Sequence, residues 1–427
     1  MARIQSYRMV LVAFMATALP SAVYAQQTME ADRLVEAAGV NIHLHYDSTL
    51  YRSQFPLIKD RLIELGVRHV RDGLIDTTWQ TYYDRHNELG AAGIRGTFIT
   101  APGQAEELWI DYPARVSQSF EAYEGPNEYD MSNDPNWVQV LTATVERLGV
   151  LRDTPGLEQY PVYAPSLTSE RAYAMLGDVS AHFDVSNLHN YFSGREPETD
   201  GWDANGYGSI RWNRDLAERY AAGKPVVTTE TGYQDIEAAL DPVPPDIAGL
   251  YMPRVLLEQL RAGIVRTFIY ELVDFPRSGG YGLLDATGAP KPAFNAVKHL
   301  LNLLSDPGPS FTPQDLSYTL MGSTDEVREM AFQTRDGTHY LALWLGVPSW
   351  DPVTRQRLDP GAQSVVVSFP EVMRVRLHQW DRDGSVTIWE APTATAFVEV
   401  QVTGALTVIE LTQRGLLERL LCGLLGC

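Results

Sequence analysis

The sequence has little cysteine and little positive charge. Its 427 residues contain two Cys, Cys422 and Cys427, both among the last six positions. A disulfide framework or a cysteine-rich metal site in the body of the chain is therefore excluded. Lys and Arg number 34 against 54 Asp and Glu, which gives a formal charge of −20. Because an acidic surface repels phosphate, we expect no nucleic-acid partner and no anionic membrane partner.

Long apolar runs are also scarce, and the main one lies at the N-terminus. Arg3 and Arg8 precede an apolar stretch over 9–23 that Pro20 interrupts, and Ala25 ends a Val-Tyr-Ala triplet typical of a cleavage site. This pattern predicts a secretory signal peptide over 1–25 and a secreted or periplasmic protein. A membrane anchor is the alternative, although the stretch is shorter than the ~20 residues that a spanning helix needs. We expect no membrane span elsewhere.

A glycine-rich turn of the G-x-G-x-x-G type is missing after the first predicted strand, so a dinucleotide site has no support. What the chain has instead is an alternation of strands and helices. Strands are predicted over 40–44, 67–71, 95–100, 120–124, 162–165, 183–188, 225–229 and 264–272, and helices over 56–65, 78–89, 136–152, 213–222, 246–262 and 292–304. Eight such units predict an α/β fold, a (β/α)8 barrel over 35–305, with a doubly wound sheet as the alternative.

The pattern changes after the Asp-Pro-Gly-Pro stretch that ends at Pro309. Short strand-like runs follow, separated by turns such as Asp336-Gly337 and Asp383-Gly384. This alternation predicts a small antiparallel β-sandwich over 310–412. Its tryptophans could form a core or a ligand-binding face; they are Trp350, Trp380 and Trp389.

The last segment, 413–427, is predicted to be a short amphipathic helix or a disordered tail. In an oxidising compartment, Cys422 and Cys427 could pair with each other or with a second chain. The sequence predicts no oligomeric state.

Two acidic motifs follow predicted barrel strands. Asn127 and Glu128 come after the fourth strand, and Glu230 ends the seventh. Residues at the carboxyl ends of barrel strands line the active site, so we expect both carboxylates there. One can protonate a leaving oxygen while the other attacks carbon, as in glycosidic bond cleavage. The alternative is that each Glu is a solvated loop residue.

This pattern resembles the clan A retaining glycoside hydrolases, a group that includes families 5 and 39. The likeness covers about 35–305, and its Asn-Glu and Glu motifs match Asn127, Glu128 and Glu230. It implies that Asn127 holds a sugar 2-hydroxyl, that Glu128 is the acid/base and that Glu230 is the nucleophile. It further implies a carbohydrate substrate, no cofactor and no metal. A transglycosylase with the same residues and a non-catalytic glycan-binding barrel are the alternatives.

Other positions match the clan less closely. Arg71 ends strand two, where the clan often has an arginine that supports the nucleophile; an ordinary ion pair is the alternative. His189 and Tyr191 resemble the clan's His-x-Tyr after strand six, and a buried structural histidine is the alternative. These side chains are expected to contact the nucleophile or the sugar.

Strand eight departs from the clan pattern, because Tyr270 stands where many relatives carry Trp. The next residue, Glu271, is expected to bind a sugar hydroxyl or to pair with Arg71. His43, which shares a strand face with His45, is expected to bind sugar or to pack rather than to bind metal. Five loop aromatics are candidates for sugar stacking, of which about two are expected to touch substrate because most Trp are core residues; the five are Trp79, Trp109, Tyr129, Trp202 and Tyr233.

Overall fold

A computed structural model describes residues 24–276 and 279–413 of the chain. Most of the predicted signal segment and the predicted tail, with Cys422 and Cys427, lie outside the described residues. Within the described part, the chain forms a parallel barrel followed by an antiparallel β-domain. No helix of this part is long and apolar enough to cross a bilayer.

Eight parallel strands form the barrel. They are β1 (Ala38–Asn41), β2 (His69–Gly73), β3 (Arg95–Ile99), β4 (Phe120–Glu124), β5 (Val162–Tyr163), β6 (Ser186–His189), β7 (Val226–Thr231) and β8 (Arg266–Ile269). Their order in the sheet is β5-β4-β3-β2-β1-β8-β7-β6, and a parallel bridge from Tyr163 to Val185 joins the two ends. The predicted (β/α)8 fold is therefore confirmed.

Helices surround this sheet. They are Asp32–Ala37, Leu50–Ser53, Phe55–Leu65, Gln80–Ala91, Glu106–Arg115, Trp137–Leu151, Glu170–Leu176, Ile210–Tyr220, Pro245–Arg261 and Pro292–Leu304, with single 3-10 turns at Tyr129–Met131 and Ser180–His182. Helix Phe55–Leu65 ends at Gly66, whose φ of +85° is the left-handed cap that glycine adopts without steric cost. Helix Pro245–Arg261 is buried along most of its length because both the sheet and the β-domain cover it.

The β-domain is built on one continuous sheet. Its main strands are Leu316–Gly322, Val327–Gln333, His339–Leu345, Gln363–Trp380, Val386–Glu390, Thr395–Val402 and Thr407–Gln413, and a small hairpin joins Trp350–Asp351 to Gln356–Arg357. The register of the long strand Gln363–Trp380 shifts between Ser368 and Met373. Its first half pairs with Leu316–Gly322 and Thr395–Val402, and its second half with Val386–Glu390 and Thr407–Gln413. This strand therefore pairs with four others, and the predicted antiparallel β-domain follows the barrel.

Two short strands from the start of the described chain, Tyr24–Gln26 and Met29–Glu30, complete this sheet by pairing with Leu316–Tyr318 and Phe332–Gln333. The sequence did not predict this pairing. The strand Met29–Glu30 ties the segment before the barrel to the domain after it, whereas Tyr24 and Ala25 belong to the predicted signal peptide.

A buried ion pair joins the barrel to the β-domain. Arg254, on helix Pro245–Arg261, pairs with Glu198 and also donates to the carbonyl of Gly404. Trp344 donates from Nε1 to the same Glu198 carboxylate at 2.7 Å. Of the three tryptophans considered for ligand binding, Trp350 and Trp380 belong to the buried core, and Trp389 is the exposed one.

Candidate active site

Arg71 lies at the centre of the polar network beneath the barrel mouth and is almost completely buried. Its register partner across β1 and β2 is Asn41, whose Oδ1 accepts from Nη1 at 2.8 Å. The same Nη1 donates to Glu230 Oε1 at 2.7 Å, and Nη2 donates to Asn127 Oδ1 at 2.6 Å. Nε and Nη2 bind both oxygens of Glu124, at 2.7 and 2.8 Å. The guanidinium of Arg71 therefore links β2 to β1, β4 and β7, and it also holds Asn127, the residue before Glu128.

Glu230 lies near the end of β7, opposite His189 in the register with β6. Besides Arg71, the hydroxyl of Tyr191 donates to it at 2.9 Å. Burial raises the pKa of this carboxyl, but His189, Arg71 and Tyr191 outweigh that effect, so its pKa lies below the ordinary value. Glu230 is therefore an ionised, oriented carboxylate at neutral pH.

Glu128 lies on the loop after β4, in a more open setting. An isolated bridge from Asn127 to Ser166 prolongs the pairing of β4 with β5, and the Glu128 amide donates to the Ser166 carbonyl at 3.1 Å. The backbone of Glu128 adopts a left-handed conformation with φ of +44°. Its side chain is 33% exposed, so the carboxyl reaches the mouth of the barrel.

His189 connects the two carboxylates. Its Nδ1 lies 2.7 Å from Glu128 Oε1 and 3.6 Å from Glu230 Oε2, while Nε2 lies 3.2 Å from the hydroxyl of Thr229. One oxygen of each carboxylate and a ring nitrogen of His189 all lie within 4.8 Å of one another. Tertiary structure thus brings Glu128 and Glu230, three βα units apart, to one point.

These three side chains could also ligate a divalent cation, since carboxylate and imidazole are suitable donors. The fixed positive charge of Arg71 at 2.7 Å from Glu230 opposes a second cation there. The donor set therefore fits acid–base and nucleophilic chemistry better than metal binding.

Four buried polar residues under the site were missed in the sequence, namely Glu124, Asn187, Thr229 and Asn41. Glu124 has no exposed surface and, besides Arg71, accepts from Asn187 Nδ2 at 3.0 Å. Asn187 accepts from Thr229 at 2.8 Å, and Asn41 donates to the Thr229 carbonyl at 2.9 Å. A charge at the end of an apolar strand was the available signal for Glu124, because a buried carboxylate requires a partner.

Two predicted contact residues lie elsewhere. Tyr233 is 5% exposed, and its hydroxyl donates to the Arg195 carbonyl at 2.8 Å, so it packs behind the mouth and does not face a substrate. Glu271 is completely buried, with Oε2 at 3.0 Å from His43 Nε2. The pairing of Glu271 with Arg71 is not formed, because Glu124 and Glu230 are the carboxylate partners of Arg71. A sugar contact of Glu271 is excluded by the same burial.

His43 lies beneath the mouth and stacks on Tyr46 at 4.4 Å between ring centroids. Burial lowers its pKa to about 4, so the ring is neutral at pH 7. His45 instead pairs with Asp72 at 3.1 Å. Tyr270 is half-buried, with its ring 5.6 Å from that of Tyr281.

Some of the loop aromatics pack against other parts of the protein, whereas Trp202 lines a cavity. Trp109 is buried in the core, and Trp79 packs against Arg52 with the guanidinium 3.1 Å from the ring centroid. Trp202 lines a cavity beside Glu128, together with His189 and Tyr191. Tyr129 is half-buried and bonds to Asp134 at 3.2 Å.

Solved structures share this fold. A family 39 glycoside hydrolase from the gut symbiont Bacteroides cellulosilyticus WH2 is 15% identical, with a TM-score of 0.59 over 90% of this chain and 82% of that one. An arabinofuranosidase is 10% identical, with a TM-score of 0.56 over 90% and 99%. A family 86 β-porphyranase from Bacteroides plebeius is 13% identical, with a TM-score of 0.50 over 92% and 77%. No family model and no curated protein matches the sequence. These likenesses, at 10–15% identity, show that the chain shares the fold of these structures, and they assign it to no family.

Proposed function

We propose that the protein is a retaining glycoside hydrolase that acts on a poly- or oligosaccharide. The observation that carries this proposal is the pair Glu128 and Glu230 at the carboxyl ends of barrel strands, with carboxylate oxygens within 4.8 Å. Retaining glycosidases hold their two carboxyl groups about 5–5.5 Å apart, whereas inverting enzymes leave about 6.5–9.5 Å for a water. The likeness to glycoside hydrolase structures supports the same assignment.

In the first step, a Glu230 oxygen attacks the anomeric carbon. The bond from that carbon to the leaving oxygen breaks, and the proton of Glu128 passes to the leaving oxygen. Arg71 and Tyr191 donate hydrogen bonds to Glu230, which supports its role as an ionised nucleophile. In this proposal Asn127, whose Oδ1 accepts from Arg71, contacts the sugar 2-hydroxyl.

In the second step, water attacks the anomeric carbon of the covalent glycosyl-enzyme. Its proton returns to Glu128, and the bond to Glu230 breaks, which regenerates both groups. His189 Nδ1, 2.7 Å from Glu128, positions the acid/base through both steps. A transglycosylase would use an acceptor sugar in place of water with the same residues.

The test is a screen of 4-nitrophenyl glycosides, namely β-glucoside, β-galactoside, β-mannoside, β-xyloside and α-L-arabinofuranoside, followed by proton NMR of the first product. We expect hydrolysis of at least one, with the product formed in the anomeric configuration of the substrate. Formation of the opposite anomer would contradict retention. Glycan binding without turnover on any substrate would favour the binding-barrel alternative.

Two further expectations belong to this proposal. Because the charge of Arg71 opposes a bound cation, we expect EDTA to leave activity unchanged. A loss of activity that a divalent cation restores would favour the metal alternative.

The apolar segment over 9–23 supports export. N-terminal sequencing of the protein from an expressing host should then begin at Gln26, and retention of residues 1–25 would contradict cleavage.

A further inference from the structure

A cavity of about 260 Å³ lies against Glu128, between the segment after β5 and the loop after β6. Aromatic residues form one wall, namely Trp202, Tyr207 and Trp212. The hydroxyl-bearing residues Thr168, Ser169 and Ser193 line it as well. Rings beside hydroxyls provide the mixed surface that binds a sugar, which has flat C–H faces and polar edges.

The aromatic wall is built by the loop itself. The ring of Tyr207 contacts Trp202 edge-on at 5.4 Å and Trp212 at 4.7 Å between centroids. Gly208, with φ of +83°, lies so close to Trp202 that a Cβ there would be 1.9 Å from the indole Cη2. Glycine is therefore required for Trp202 to occupy this place. Ser209 then caps helix Ile210–Tyr220, accepting from the amide of Trp212 at 3.1 Å.

The position of the cavity indicates which part of the substrate binds there. An acid/base must reach the oxygen of the leaving group, so the leaving group occupies space next to Glu128. Glu128, His189 and Tyr191 line this cavity. A second space, of about 620 Å³, lies on the other side of the mouth and is lined by His45, Tyr46 and Tyr270. The cavity beside Glu128 is therefore the smaller of these two.

We propose that this cavity holds a single sugar residue as the leaving group, packed against the wall of Trp202, Tyr207 and Trp212. Its volume is at or below the small end of ligand pockets, which run from roughly 300 to 1,000 Å³. It suits one ring and not a chain. The inference rests on the proposed function and adds to it the size of the product released in the first step.

The experiment uses the full chain and the glycone found by the screen. The wild type and Trp212→Ala are compared on the glycosyl fluoride, whose leaving group leaves the cavity empty, and on disaccharide and trisaccharide substrates that carry one or two sugars beyond the scissile bond. Trp202→Ala is the second variant. Trp389→Ala, at an exposed tryptophan of the β-domain, is the matched control.

We expect Trp212→Ala to lower kcat/KM for the disaccharide about tenfold, equal to ~1.4 kcal/mol. Its kcat/KM for the fluoride should stay within about twofold of the wild type, which also shows that the variant folds. The wild type should use the trisaccharide no better than the disaccharide. A Trp202→Ala variant should likewise lose kcat/KM on the disaccharide and keep it on the fluoride. Trp389→Ala should keep kcat/KM on both substrates.

Equal losses on fluoride and disaccharide, or no loss on either in both variants, would overturn the cavity assignment while the proposed function stands. A tenfold preference of the wild type for the trisaccharide would overturn the one-sugar limit. A wild type inactive on every fluoride would overturn the proposed function and this inference with it.

Discussion

The two carboxylates of the site have the same chemistry and very different surroundings. Glu230 is 8% exposed, lies on a strand and is held by Arg71 and Tyr191. Glu128 lies on a loop with a third of its side chain exposed, and its short contact is with His189. A group that must stay ionised needs fixed donors, whereas a group that must gain and lose a proton needs access to a leaving oxygen and to water. The contrast therefore supports the proposed roles, in which Glu230 is the nucleophile and Glu128 the acid/base.

The largest effect is expected from Glu230→Gln, because the proposed mechanism forms its covalent intermediate on Glu230. We expect kcat/KM to fall by about 10⁵-fold or more on every substrate. The fold should be retained, as measured by circular dichroism and thermal unfolding. Glu237→Gln, at an exposed residue that follows the same strand, is the control and should retain full activity.

Replacing the open carboxylate should have a smaller effect that depends on the leaving group. Glu128→Ala should lower kcat/KM about 10²–10⁴-fold for a sugar leaving group and far less for fluoride. Azide should restore turnover and give a glycosyl azide with the substrate's anomeric configuration, since azide then attacks from the vacated Glu128 side. An azide of the opposite configuration would exchange the roles of Glu128 and Glu230.

Replacing a buried residue beneath Glu230 is expected to lower the free energy of unfolding of the protein. Glu124→Gln leaves the buried guanidinium of Arg71 with one carboxylate partner fewer, so urea unfolding should show a loss of about 3 kcal/mol. Glu170→Gln breaks an ion pair with Arg219 that is exposed on both sides and should cost under about 1 kcal/mol. Equal losses in the two variants would show that Arg71 does not depend on Glu124.

The smallest effect concerns pH. Tyr191→Phe removes a hydrogen bond that favours the ionised form of Glu230, so the pKa of Glu230 should rise. Since the nucleophile acts when deprotonated, the acid limb of the kcat/KM profile should move to higher pH. Tyr340→Phe, in the β-domain strand His339–Leu345, should leave that limb in place, and a shift in both variants would remove Tyr191 from this role.

Local signals predicted the barrel well. Strand Phe120–Glu124 and helix Pro292–Leu304 have the predicted bounds, because each combines a clear hydrophobic pattern with a clear end. Helix Glu106–Arg115 was missed because Pro113 stands inside it, and helix Glu170–Leu176 is too short for its period to be seen. The strand Met29–Glu30 was missed because its partner lies some 300 residues away, at Phe332–Gln333.

The site was predictable only in part. Motif position at the ends of strands was enough to select Glu128 and Glu230, whereas Arg71 and His189 were indicated by the resemblance to the clan A hydrolases. The same rule placed Tyr233 at the mouth, where packing against Phe192 instead turns it inward. Glu124 and Asn187 act inside the barrel, and their pairing with Arg71 and Thr229 depends on strand register that no local pattern encodes.

The most direct test of this account is covalent trapping. The wild type would be incubated with a 2-deoxy-2-fluoro glycosyl fluoride of the glycone found by the screen, digested, and the labelled peptide sequenced by mass spectrometry. The account predicts time-dependent inactivation with one label, on Glu230. A label on Glu128, or steady turnover without a trapped intermediate, would contradict it.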